Sequence, residues 1–115
     1  MPISHEVSVP MNWTEVCPLA ELLPGTHRVV DVDDIEIAVF NVAGSLHAIE
    51  DICTHDGAPL TGGCVENDVI VCPRHGARFS LETGAALTPP AYEAVDTFPV
   101  EVRDGVIFTR DDRWD

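Results

Sequence analysis

The chain has 115 residues, 45% of them apolar, which suits one folded domain with a modest core and excludes a largely disordered chain. Acidic residues number 20 and basic residues 6, a net charge of −14 that argues against nucleic acid and anionic membrane as partners. No apolar run approaches the roughly 20 residues of a membrane-spanning helix, and the N-terminal MPISHEVSVPMNW has no basic start or long apolar stretch, so a cytoplasmic chain is expected. With no secretory signal, the four cysteines favour metal ligation or free thiols over a disulfide framework.

In chain order, NWTEVC (12–17) alternates enough to predict a strand, and PLAELLPG (18–25) predicts one helical turn stopped by Pro24-Gly25. The β-branched runs HRVVDVD (27–33) and IEIAVFNV (35–42) predict a hairpin turning at Asp33-Asp34. Ala43-Gly44 turns the chain into SLHAIED (45–51). From residue 52 to about 85 the texture changes: Gly57, Pro59, Gly62, Gly63, Pro73, Gly76 and Gly84 crowd a stretch that reads as a loop-rich inserted lobe. Pro89-Pro90-Ala91 predicts a stiff loop, and FPVEVRDGVIFT (98–109) a second hairpin around Asp104-Gly105. No amphipathic stretch of 12 or more residues and no internal repeat stands out. The expected class is all-β: short antiparallel sheets forming a base (10–51 and 86–112) with the lobe (52–85) between its halves, in a single domain, 1–115.

The lobe holds the chemistry. Cys53 and His55 stand at C-x-H, Cys72 and His75 at C-x-x-H, with 16 residues (56–71) between the two pairs. Either pair alone is weak evidence. Two chelating loops of one type on a Gly-rich insert are hard to reach by chance. Thiolates and neutral imidazoles suit zinc or iron, and glycines let backbone N–H groups approach a bound centre. Two arrangements fit this set: a closed tetrahedral zinc, or a [2Fe–2S] cluster with cysteines on one iron and histidines on the other.

The pattern Cys53-Thr54-His55 with Cys72-Pro73-Arg74-His75-Gly76 resembles the Rieske iron–sulfur proteins, and the resemblance extends over nearly the whole chain. It implies that Cys53, His55, Cys72 and His75 bind one [2Fe–2S] cluster, with the cysteines buried and the histidines at the surface. Two ferric ions, two sulfides and two thiolates then sum to zero. A neutral centre accepts an electron at a higher potential than an all-cysteine one. The cluster surround implied is Gly57, Pro59, Gly76, Phe79, Pro89 and Pro90.

Absences refine this picture. High-potential members carry one extra cysteine in each loop, joined as a disulfide; the matching positions here are Ala58 and Arg74. Where those members place hydroxyls near the cluster, this chain has Ala77 and Phe79. Fewer hydrogen bonds to sulfur imply a low potential, about −150 mV.

By resemblance the chain is an electron carrier. It would be a monomer passing single electrons from a flavin-containing reductase to the terminal component of a non-haem iron oxygenase, with no turnover of its own. Two other readings are a Rieske protein serving iron–sulfur assembly or nitrite reductase, and a zinc-stabilised binding module. A second, mononuclear iron site is not expected, because His5, His27 and His47 form no convincing pair. Cys17 reads as a buried apolar residue, Cys64 as a turn residue near the cluster, Trp13 and Trp114 as packing groups, and the acidic C-terminus as a solvated end.

Overall fold

The computed structural model describes residues 12–54, 57–74, 76–89 and 91–113. Among the described residues ten strands form three antiparallel sheets, as expected for an all-β chain. They are β1 (Thr14–Pro18), β2 (His27–Val32), β3 (Ile35–Val42), β4 (Ser45–Glu50), β5 (Val65–Glu66), β6 (Val69–Val71), β7 (Arg78–Ser80), β8 (Thr97–Phe98), β9 (Val100–Arg103) and β10 (Val106–Thr109). The sheet orders are β1-β10-β9, β2-β3-β4-β8 and β5-β6-β7. The helical turn expected at 18–25 is a single 3₁₀ turn, Leu19–Glu21.

The turns explain the hairpins. Asp33 and Asp34 sit at φ 49° and 72°, Ala43 and Gly44 at 52° and 95°, and Asp104 and Gly105 at 54° and 78°. Each two-residue loop thus has both central residues at positive φ, the geometry whose twist matches that of the flanking strands. It pairs Val32 with Ile35, Val42 with Ser45, and Arg103 with Val106.

β3 organises the core. Its burial is nearly continuous from Ile37 to Asn41, the mark of a strand covered on both faces. Side chains alternate between faces. Ile37 and Val39 therefore join Cys17, Leu22, Val32, Ala48, Phe98 and Ile107 in one apolar cluster. Ala38 and Phe40 join Ile49, Cys53, Leu60, Ile70, Cys72 and Phe79 in the other. The middle sheet thus serves as roof of the terminal sheet and floor of the lobe.

Four expectations need correction. The first strand starts at Thr14 rather than residue 12 and runs through Pro18. The last hairpin starts at Val100, because Thr97–Phe98 leaves it to pair with β4. The stretch 52–85 is not loop alone: it carries the sheet β5-β6-β7, with Asn67 at φ 57° in the β5–β6 turn. Nor is the C-terminal stretch solvated throughout: Asp112 is exposed, but Asp111 is not. The Asp111 side chain is 2% exposed and pairs with Arg113, whose guanidinium also reaches Asp96 at 3.0 Å and Glu50 at 3.3 Å. The same group lies 5.3 Å from the centre of the Phe98 ring. Those carboxylates raise the Arg113 pKa, Asp111 most of all.

Candidate metal centre

The two cysteine loops close in the same way. The Cys53 N–H donates to the Ala58 carbonyl at 2.7 Å, and the Gly57 N–H donates back to the Cys53 carbonyl at 2.7 Å. The Cys72 N–H donates to the Ala77 carbonyl at 2.7 Å, and the Gly76 N–H to the Cys72 carbonyl at 3.0 Å. Gly57 and Gly76 carry φ of 79° and 77°, a conformation that side chains with a Cβ resist. The signal for this repeat is in the sequence as Cys-x-x-x-Gly-Ala, at residues 53–58 and again at 72–77. The spacing of Cys and His alone does not reveal it.

The loops bring Cys53 and Cys72, 1% and 2% exposed, into one apolar cluster with Leu60, Ala77 and Phe79. His55 and His75, the expected partners of these cysteines, lie outside the described residues, as does Pro90. Phe79 is fully buried in β7, while Gly57, Pro59, Gly76 and Pro89 are exposed around the two loops. Ala77 is also fully buried.

The other cysteines are placed apart. Cys17 belongs to the second apolar cluster, on the far face of the middle sheet, and burial raises its thiol pKa. Cys64 is exposed ahead of β5, and no disulfide joins it to Cys17. His27 and His47 stand in β2 and β4, where the His27 ring lies tilted against Phe40 at 5.5 Å. Trp13 packs under the Arg110 guanidinium at 5.6 Å. His5 and Trp114 lie outside the described residues.

Two supports of the loops have no sequence signal. Asp51, 8% exposed, accepts hydrogen bonds from the Leu60 and Thr61 N–H groups on one carboxylate oxygen and from the Thr61 hydroxyl on the other, each at 2.8 Å. It ties the entry of the first loop to its exit. Thr54 donates its hydroxyl to the Glu93 carbonyl at 2.7 Å, joining that loop to the stretch after Thr88.

The donor set fits a two-iron centre. Two thiols share one buried apolar cluster at the base of matched loops, where thiolates need metal to offset their burial. The sequence sets an imidazole two or three residues beyond each thiol. Soft thiolate with imidazole is a donor pairing for iron–sulfur centres and for zinc.

Comparison with known proteins discriminates between those two. The model of the Rieske [2Fe-2S] domain matches residues 12–99. The 3-phenylpropionate/cinnamic acid dioxygenase ferredoxin subunit of Escherichia coli (strain K12) is 42% identical over 99 residues, covering 85% of this chain and 92% of its own. Among solved structures, a chain in the complex of reduced oxygenase and oxidized ferredoxin in carbazole 1,9a-dioxygenase superposes with a TM-score of 0.82 at 36% identity. That match covers 88% of this chain and 94% of the other. The ferredoxin of carbazole 1,9a-dioxygenase from Nocardioides aromaticivorans IC177 superposes with a TM-score of 0.81 at 32% identity, covering 86% and 97%.

Proposed function

Because the chain belongs to the Rieske [2Fe–2S] domain family, we propose that it carries single electrons from a flavin-containing reductase to the terminal component of a non-haem iron oxygenase acting on aromatic rings. In this reading Cys53 and Cys72 hold the inner iron of one cluster, and His55 and His75 the outer. When bound, the cluster supplies a one-electron couple in the Rieske range. The chain's own residues do the rest. The apolar cluster around Cys53 and Cys72 keeps water from the thiolates, and the matched loop closures fix where those thiolates stand. Ala77 and Phe79 bring no hydroxyl to the sulfurs, which supports a low potential of about −150 mV.

The single observation that carries this reading is the pair of like loops delivering two buried thiols to one apolar cluster. A net charge of −14 supports brief, salt-sensitive docking on basic patches of both partners. The relatives named above that match nearly their whole length are a ferredoxin subunit and a ferredoxin, which supports turnover residing in the oxygenase and not in this chain. We place the exchange in the cytoplasm. Among the described residues, no helix is long and apolar enough to cross a membrane.

The test is metal content, the paramagnetic spectrum of the reduced protein, a redox titration, and electron delivery to a purified oxygenase. Two irons per chain, the signal of a coupled mixed-valence pair and a midpoint near −150 mV are expected. His75→Cys should lower the midpoint and alter the spectrum. Zinc without iron would end the reading, and a midpoint above about +100 mV would end its low-potential part.

A further inference from the structure

The strap of described residues between Leu87 and Glu93 is tied to the first cysteine loop and to the start of β7, directly after the second. At its start the Leu87 N–H donates to the Arg78 carbonyl at 2.8 Å, and the Arg78 N–H donates to the Thr88 hydroxyl at 3.1 Å, one residue beyond the loop that Ala77 closes. At its end Glu93 accepts the Thr54 hydroxyl, inside the Cys53 loop. Between these ties Ala91 points inward: it is 3% exposed and belongs to the apolar cluster of Cys53 and Cys72. The next residue faces the other way. Tyr92, the only tyrosine of the chain, is 83% exposed, and it is the most exposed large apolar side chain among the described residues. Leu87 is 50% exposed and Pro89 is exposed as well.

We infer that this strap is the docking edge for the oxygenase component, and that Tyr92 is its anchor and a determinant of partner choice. The inference rests on the electron-carrier reading above and names the surface that reading needs. Three observations support it. An aromatic ring left in water contributes little to folding, whereas its burial against a partner is the usual source of a binding hot spot. Both ends of the strap are hydrogen-bonded and Ala91 is packed, so presenting the ring costs little ordering entropy on association. The strap's ties reach Thr54 inside the first cysteine loop and Arg78 directly after the second, which puts any partner seated on it beside the centre. The occupant follows from the solved carbazole complex, where a chain of this fold is found together with an oxygenase. Its chemistry follows from charge. Glu93 flanks the ring on a chain of net charge −14, so the partner should offer an apolar pocket with a basic rim.

The experiment uses the cluster-loaded chain and its purified oxygenase and reductase components, with Tyr92→Ala, Tyr92→Phe and, as a control, Leu23→Ala. Leu23 is 61% exposed and lies between the 3₁₀ turn and β2. Binding to the oxygenase is measured by calorimetry, alongside the midpoint potential and the rate of reduction by the reductase. Tyr92→Ala should weaken oxygenase binding about tenfold, while Tyr92→Phe and Leu23→Ala stay within about twofold. The midpoint and the reductase rate should not move, which separates a docking role from damage to the centre. Tyr92→Ala binding as tightly as wild type would overturn the inference and leave the electron-carrier reading standing. So would a loss confined to the reductase step, which would assign the strap to the donor. A wild-type chain that reduces no oxygenase would instead overturn the carrier reading, and this inference with it.

Discussion

Replacing Asp51 with alanine should loosen the first cysteine loop more than any other polar substitution near the site. Asp51 accepts three hydrogen bonds from two consecutive residues, and its own N–H donates to the Glu36 carbonyl of β3 at 2.9 Å. It therefore stitches the far end of the loop to the middle sheet. Leu60, which it holds, is fully buried beside Cys53. Without the carboxylate the Leu60 N–H is left in an apolar setting, which costs about 1–3 kcal/mol. The Thr61 N–H loses a bond to a charged acceptor, worth about 1.5–3 kcal/mol, but it is only half-buried and water can replace much of that. The sum is about 2–4 kcal/mol, a large part of the 5–15 kcal/mol that keeps a typical domain folded.

Asp51→Asn separates geometry from charge. Its carbonyl can still accept both N–H groups, and the Thr61 hydroxyl can turn to accept from the new amide, so a cost of about 1 kcal/mol is expected. The assay is urea unfolding followed both by backbone circular dichroism and by the visible absorption of the bound cluster. The absorption midpoint should fall at least as far as the dichroism midpoint in Asp51→Ala, because the loop opens first. An alanine variant within about 0.5 kcal/mol of wild type, or one equal to the asparagine variant, would refute the reasoning.

Ala77→Ser places a hydroxyl at a fully buried position of the second loop, and the midpoint should rise in a redox titration if that hydroxyl reaches a cluster sulfur. No rise would remove Ala77 from the account of the low potential. Gly84→Ala should destabilise by about 2 kcal/mol or more in urea unfolding, since Gly84 has φ 79° and a Cβ there would run into the Val95 carbonyl oxygen. Gly25→Ala, with φ 88° but open space around it, should cost only the backbone strain, about 1–2 kcal/mol. The Cys17 thiol is raised above 9.0, chiefly by burial. Above about pH 9 the unfolded chain has therefore lost a proton that the folded chain keeps, and stability falls as pH rises. Cys17→Ala should abolish that part of the alkaline slope in unfolding midpoints, and parallel slopes would count against it.

The parts of the fold that were legible in the sequence are those specified locally. Asp33-Asp34 and Asp104-Gly105 stand between β-branched runs and Ala43-Gly44 ends one, and each turns as its residues suggest. The lobe sheet was not legible, because β5, β6 and β7 have only two or three residues each. Strands so short show no alternation to read. Cys53 and Cys72 were legible by spacing. Their support by Asp51 was not, since it grips backbone N–H groups, which every residue but proline offers. The role of Arg113 in the acidic C-terminus is hidden for a related reason. Its partner Glu50 is 63 residues away, and charges at a chain end look solvated until the fold brings them together.

Register is what joins these local and distant features. One strand, β3, sends Ile37 and Val39 to the terminal sheet and Ala38 and Phe40 to the lobe. A slip of one residue would exchange those sets, putting Ile37 and Val39 where Ala38 and Phe40 now floor the cysteine loops. Two-residue turns at both ends of β3 fix its pairing with β2 and β4, so neither neighbour can slide. The position of Cys53 therefore depends on Asp33-Asp34 and Ala43-Gly44, which make no contact with it in the apolar cluster. Lengthening either turn by one residue should disturb the centre through register alone, whereas the same insertion at Asp104-Gly105 acts on a hairpin whose Ile107 packs on the opposite face of the sheet.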